Sequence, residues 1–237
     1  MNTQTKLTLQ AQKFIESVLA LKPAVAVFDC DGTLWSGDSG ADFFYWEIER
    51  GLLPAKVVEW AIPRYEDYKR GNVDETVMCG EMVAIHSGIQ ERLLEEASQE
   101  FFREVVEHRI FSEMQQLARD LREAGCSLWA VSSTNVWVVR EGVKRFGIAP
   151  ERVLGACVQV EDGLATERLQ RVPSGSGKAT ALAETLASTP DASFGNSIHD
   201  LAMLEVSRRP FAINPNPDLE QIAIGRGWTV YWPEKTR

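Results

Sequence analysis

The 237-residue chain carries 34 Asp and Glu against 25 Lys and Arg, a formal net charge of −9, with 44% hydrophobic and 25% charged residues. This is the composition of a globular protein with a sizeable core, and the acidic balance without a basic patch argues against a nucleic-acid partner, whose phosphates need clustered Lys and Arg. Segment 1–12 has no apolar leader, no run approaches the ~18 apolar residues of a membrane span, and Cys30, Cys79, Cys126 and Cys157 lack C-x-x-C spacing, so a cytoplasmic protein with reduced thiols and no membrane partner is expected.

Apolar residues at Leu9, Phe14, Ile15, Val18, Leu19 and Leu21 follow helical spacing, and Pro23 stops that helix before a predicted strand at 24–28. The strand runs into Asp29-Cys30-Asp31-Gly32-Thr33. Side chains i and i+2 of an extended segment share a side, so Asp29 and Asp31 are expected to crowd together at the strand's end. Two like charges that close resist joint ionisation unless a cation lies between them or one keeps a proton. Those are the conditions of metal binding and of nucleophile or acid/base chemistry. An Asp-x-Asp-Gly stretch is also a common turn or calcium loop, but Thr33-Leu34-Trp35-Ser36 lacks the alternating oxygens and closing Glu of an EF-hand.

From 41 to 109 the periodicity is helical almost throughout, punctuated by Pro54, Pro63, Gly71-Asn72 and Ser87-Gly88, which predicts a small helical bundle. The rhythm then becomes alternating: helix 111–124, strand 127–131, helix 136–146, strand 153–160, a hairpin at Asp162-Gly163, helix 178–187, a strand ending at Phe194, helix 201–205, and strands 210–213 and 228–232. Alternation of this kind predicts an α/β fold, a Rossmann-like parallel sheet covered by helices. The expected organisation is a core of residues 1–35 and 110–237 with a helical insert at 36–109.

In a parallel sheet, chemistry collects at the carboxyl ends of the strands. There the predicted strand at 127–131 meets Ser132, Ser133, Thr134 and Asn135, either an anion cradle or helix caps. The stretch Pro173 to Thr180 looks like a phosphate-binding P-loop but fails it, with Val172 in place of the leading Gly and Ala179 in place of the metal-binding hydroxyl. Lys178 nonetheless sits at a helix start, the end that disfavours cations, so a nearby anion would explain it. Further on, Asn196 and Asp200 lie in a polar loop after a strand, able to complete an oxygen shell for Mg²⁺. His199 is more simply a surface or satisfied histidine than a base.

These four stretches in this order, with a helical insert after the first, resemble the haloacid dehalogenase-like phosphatase superfamily, and within it the phosphoserine phosphatase-like branch with a helical cap. The resemblance runs from Ala24 to the end of the chain. It implies that Asp29 is a nucleophile forming an aspartyl-phosphate and that Asp31 is the general acid and then the base. By the same resemblance Thr33, Ser132, Ser133 and Lys178 hold phosphoryl oxygens, while Asp29, Asp31, Asn196 and Asp200 bind Mg²⁺. One departure stands out: the family carries Gly-Asp where this chain has Gly195-Asn196, so a carboxylate ligand is replaced by an amide.

Substrate contacts are expected from the insert and from the loop after Thr33. Asp38 stands where phosphoserine phosphatases carry an acid for the substrate's ammonium, and Trp35 and Met82 complete the expected substrate set. Met82 falls near the position of the family's carboxylate-binding Arg, with Arg64 and Arg70 as alternatives. Trp46, Trp60, Tyr65 and Tyr68 are either the insert's core or cation–π faces. The expected activity is hydrolysis of a small phosphate monoester, with phosphoserine, phosphoethanolamine and phosphocholine as candidates. The alternatives are a phosphotransferase of the same family and a non-catalytic phospho-ligand binding protein.

Overall fold

The computed structural model describes residues 7–234. Among these, seven strands form one sheet: β1 (Val25–Phe28), β2 (Ser127–Asn135), β3 (Val153–Glu161), β4 (Leu164–Arg171), β5 (Ala192–Gly195), β6 (Arg209–Ile213) and β7 (Thr229–Tyr231). Their order is β4-β3-β2-β1-β5-β6-β7, and every pair is parallel except β3 with β4. The central strand β1 is wholly apolar and its Ala26, Val27 and Phe28 are fully buried, as a strand covered on both faces requires. Phe28 stacks on Phe194 of β5 with ring centroids 4.5 Å apart, tying the two strands together near their carboxyl ends.

The helices follow from local signals. In α1 (Leu9–Leu19), Ala11, Phe14, Ile15 and Val18 form the buried stripe, and the Thr8 hydroxyl caps the start by accepting from the Ala11 N–H. Between β1 and α6 (Ser112–Glu123) lie α2 (Ser39–Glu49), α3 (Ala55–Lys69), α4 (Glu75–Ala84) and α5 (Glu91–Phe101). Asp38 and Asp74 cap α2 and α4. Phe44, Leu53, Ala61, Tyr65, Met78 and Ile85 make a small buried cluster of their own among α2, α3 and α4. Phe43, Trp46, Val83 and Leu94 instead join the main core beside the sheet, so the inserted helices are anchored by burial rather than by their connections alone.

The predicted hairpin forms with Asp162 and Gly163 both at positive φ, +51° and +78°, the combination a two-residue loop of right-handed twist needs. The predicted strand at 127–131 continues to Asn135 as β2, with a register shift against β3 between Val131 and Asn135. After it come α7 (Val136–Val143), α8 (Ser176–Thr185), starting two residues earlier than expected, and α9 (Leu201–Glu205). One helix was not anticipated: α10 (Pro217–Gly225), capped by Asn216, whose side chain accepts from the Leu219 N–H. Its buried contribution is only Leu219 and Ala223, too few apolar residues to set a period. No helix among the described residues is long and apolar enough to cross a membrane.

Candidate active site

The order of the strands puts β1 between β2 and β5, so the segments following these strands converge at one sheet edge. Asp29 directly follows β1, its N–H donating to the Phe194 carbonyl at 2.9 Å. Asp29 and Asp31 both line a cavity of about 300 Å³, while Cys30 between them is turned into the core, the alternation expected from the sequence. Gly32 lies at φ +74°, and a Cβ there would stand 1.9 Å from the Asn196 Nδ2. Both the backbone angle and the close approach of Asn196 therefore demand glycine.

Asp29 is held on both oxygens. Its Oδ1 accepts from Lys178 Nζ at 2.7 Å and its Oδ2 from Thr33 Oγ1 at 2.9 Å. Lys178 also donates to Asp200 Oδ1 at 2.5 Å and to the Val131 carbonyl at 3.3 Å. The ammonium thus sits between two buried carboxylates, which is why a lysine is stable in the first turn of α8. Burial pushes Asp29 up to about 7; the Asp200 charge adds to this and Lys178 opposes it. Burial alone would lower Lys178, but the charges of Asp200 and Asp29 outweigh it and hold Lys178 above its ordinary value, so it stays an ammonium.

Asp31 is also fixed. Its Oδ1 accepts from Trp35 Nε1 and from the Ser39 N–H, each at 2.7 Å, and its Oδ2 accepts from Thr134 Oγ1 at 2.8 Å. Of these three partners only the hydroxyl can turn from donor to acceptor. Oδ2 is therefore the oxygen on which Asp31 can carry a proton without losing a bond.

Three expected placements are corrected. Trp35 is fully buried, packed edge to face on Phe102, and positions Asp31 instead of meeting substrate. Thr33 is fully buried and spends its hydroxyl on Asp29, so it does not reach a phosphate. Asp200 is fully buried, with Oδ1 on Lys178 and Oδ2 accepting from the N–H groups of Asn196 and Ser197 at 2.9 and 3.0 Å. It braces the loop and the lysine and, unlike Asp29, does not line the cavity.

The remaining expected residues share the cavity: Ser132, Ser133 and Lys178 at the sheet edge, Asn196 beside Gly32, and Asp38 and Met82 from the inserted helices. Although Asp38 is exposed, loss of hydration at the cavity wall and the nearby Asp31 raise it to about 6, against the pull of its hydrogen bond from Ala41. Arg64 is bound by Glu81 and Arg70 by Asp67, and neither lines the cavity. Trp46 belongs to the core and Trp60 is exposed, whereas Tyr65 and Tyr68 lie on the wall. His199, set aside on sequence, is on the wall too, its Nε2 2.5 Å from Glu75 at the start of α4. Glu75 also accepts from Ser174 Oγ, so the inserted helices are tied to the core at the rim.

Sequence reading missed Thr134 as a partner of Asp31, and it missed a buried pair on the cavity wall. His86 Nε2 lies 2.8 Å from Glu47 Oε2, and its Nδ1 lies 3.1 Å from the Val83 carbonyl. The available signal was Glu47 itself, three and four residues beyond Phe44 and Phe43 on the buried face of α2.

The donors at the sheet edge are hard oxygens: the Asp29 carboxylate, the Asp31 segment and the Asn196 amide. Among the described residues no three acidic, His or Cys side chains are grouped to hold a metal. With the amide as third donor the set still suits Mg²⁺, which keeps several waters and takes one or two carboxylates together with substrate phosphate.

A family model described as haloacid dehalogenase-like hydrolase matches residues 26–205. The chain is 29% identical to a histidinol-phosphatase of Neisseria meningitidis over 217 residues, 87% of this chain and 97% of that protein. It is 26% identical to a phosphoserine phosphatase of Mycobacterium tuberculosis over 87% of this chain and 70% of that one. A crystal structure of a Bordetella pertussis protein of unknown function is 27% identical and superposes with a TM-score of 0.72, covering 87% of this chain and 97% of its own.

Proposed function

The chain belongs to the haloacid dehalogenase-like hydrolase family, and from that membership we propose that it is a Mg²⁺-dependent phosphatase that cleaves a small phosphate monoester through an aspartyl-phosphate on Asp29. The observation that carries the reading is Asp29, Asp31, Ser132, Lys178 and Asn196 on the wall of one cavity, with the Lys178 ammonium 2.7 Å from the Asp29 carboxylate. The relatives that are phosphatases by name support an ester of an amino alcohol or amino acid. Mg²⁺-dependent phosphate release from p-nitrophenyl phosphate and from a panel of phosphate esters tests it; no release with any divalent ion would count decisively against it.

In this mechanism an Asp29 oxygen attacks phosphorus in line with the ester oxygen, and the bond from phosphorus to that oxygen breaks. Asp31 gives its proton to the departing alkoxide, then takes one from the water that attacks the phospho-Asp29, so phosphate leaves, Asp29 is again a carboxylate and Asp31 again a carboxylic acid. Lys178 and the hydroxyls of Ser132 and Ser133 meet the phosphoryl oxygens as charge accumulates there. Mg²⁺, held by Asp29, the Asp31 main chain and Asn196, supplies further charge neutralisation when bound. Residues 36–109 serve as a lid that shapes the leaving-group pocket and excludes water.

Two outcomes follow. Asp31→Asn should lower kcat/KM, which reports steps up to departure of the alcohol, by about 10²–10⁴-fold for alkyl phosphates but distinctly less for p-nitrophenyl phosphate, whose leaving group needs no proton. Equal losses for both esters in steady-state kinetics would remove Asp31 from the acid role. Asn196→Asp adds a carboxylate where the chain has an amide, so the Mg²⁺ concentration giving half-maximal rate should fall several-fold. An unchanged magnesium titration would take Asn196 off the metal.

A further inference from the structure

The same cavity is lined by Phe44, Tyr65, Met78 and Met82, and by Glu47 and His86. Both are about 1% exposed. The imidazole is bonded on both nitrogens, to the Val83 carbonyl and to Glu47 Oε2. Burial would lower its basicity, but the charge and hydrogen bonds of Glu47 outweigh this and raise it. The other carboxylate oxygen, Oε1, takes no hydrogen bond from the described residues, and Glu47 lines the cavity. An N–H group arriving from the cavity would gain a charge-assisted bond at that carboxylate.

Of the cavity's cations, Lys178 sits at the phosphoryl end between Asp29 and Asp200, while His86 and His199 are paired with Glu47 and Glu75. Arg64 and Arg70 lie off the wall. A leaving group bearing a carboxylate would thus be desolvated beside Asp38 and Glu47 without a counter-ion. We propose that Glu47, oriented by His86, is a specificity-determining residue that selects phosphate esters of amino alcohols with a second nitrogen donor and no carboxylate. Asp38 takes the ammonium, Glu47 the second N–H, and the aromatic and thioether walls the carbon frame. This rests on the phosphatase reading of the same site.

Initial-rate measurements on the full chain with Mg²⁺ test it, using histidinol phosphate, phosphoethanolamine, phosphoserine and p-nitrophenyl phosphate. Wild type should favour histidinol phosphate over phosphoserine in kcat/KM by about tenfold or more, the effect of one hydrogen bond to a charged group. Glu47→Gln should raise KM for histidinol phosphate about tenfold with a smaller change in kcat, narrowing that ratio. His86→Leu should mimic it, and His86→Gln, which keeps a donor toward Glu47, should recover part of the loss. Equal or better turnover of phosphoserine by wild type overturns the inference, as does an unmoved ratio in Glu47→Gln. If the variants melt at room temperature, free histidinol and serine as competitive inhibitors of wild type decide: preferential inhibition by histidinol supports the assignment, and equal inhibition overturns it. Absence of phosphate release from every ester, p-nitrophenyl phosphate included, would strike the phosphatase reading itself, whereas release without preference strikes only the role of Glu47.

Discussion

Asp29→Asn is expected to reduce phosphate release by on the order of 10⁴-fold or more, because it removes the proposed nucleophile while leaving its neighbours in place. The same change should stabilise the metal-free protein above pH 7. In the native chain Lys178 faces two buried carboxylates, and Asp29 is pushed up to about 7 by burial and by Asp200. The folded state therefore holds a proton on Asp29 that the unfolded chain, with its ordinary carboxylate value of 3.8, has released. Stability drawn from this group declines as pH rises from about 4 through about 7 and stays reduced above it. The amide cannot ionise, and Lys178 with Asp200 remains a neutral pair. Thermal melts at pH 8 without metal should give a higher midpoint for the variant than for wild type, together with loss of turnover. A variant that retains turnover would exclude Asp29 as the attacking group, and an inactive variant with a lower midpoint would refute the electrostatic account.

Lys178→Met should cost both activity and fold. Methionine matches the length of the stem but leaves Asp29 and Asp200 facing each other in a buried site. Breaking a buried ion pair by deleting one partner costs about 3–5 kcal/mol, which in a chain of this size lowers the melting midpoint by roughly 6–20 °C. Phosphate release should fall to background, since no other cation of the cavity is free to meet the phosphoryl oxygens. Calorimetry read alongside turnover separates the two effects: Asp200→Asn in the Lys178→Met background relieves the repulsion and should recover part of the midpoint without recovering rate. A Lys178→Met protein that melts normally would show that the ammonium is not what holds the two carboxylates together.

The candidate site at the sheet edge could be assembled from sequence because each contribution is local. Asp29 and Asp31 are two residues apart on an extended segment, Ser132 and Asn196 each follow an apolar run, and Lys178 opens a helix. The family resemblance drawn from those stretches agrees with the family model that spans 26–205. The errors arose where a residue's direction depends on a turn. Trp35 belongs to the same motif as Asp31 yet points into the core, because Gly32 at positive φ reverses the chain and the Gly32 N–H then bonds the Trp35 carbonyl. Asp200 has the right chemistry for a metal, but only the placement of Lys178 on a different helix shows that its oxygens are already engaged. The Glu47 and His86 pair spans 39 residues, and no periodicity joins two such positions. Residues 217–225 went unread because a helix with two buried side chains leaves a weaker trace than its Asn216 cap.

The central position of β1 has a consequence for tolerance to change. Asp29 is clamped from both flanks, by β2 on one side and β5 on the other, while β4 and β7 form the outer margins of the sheet. Deformation at either margin must pass through three hydrogen-bonded ladders before it shifts Asp29. The periphery is therefore free to drift, lengthen or acquire new surface contacts while Asp29 and its neighbours stay in register.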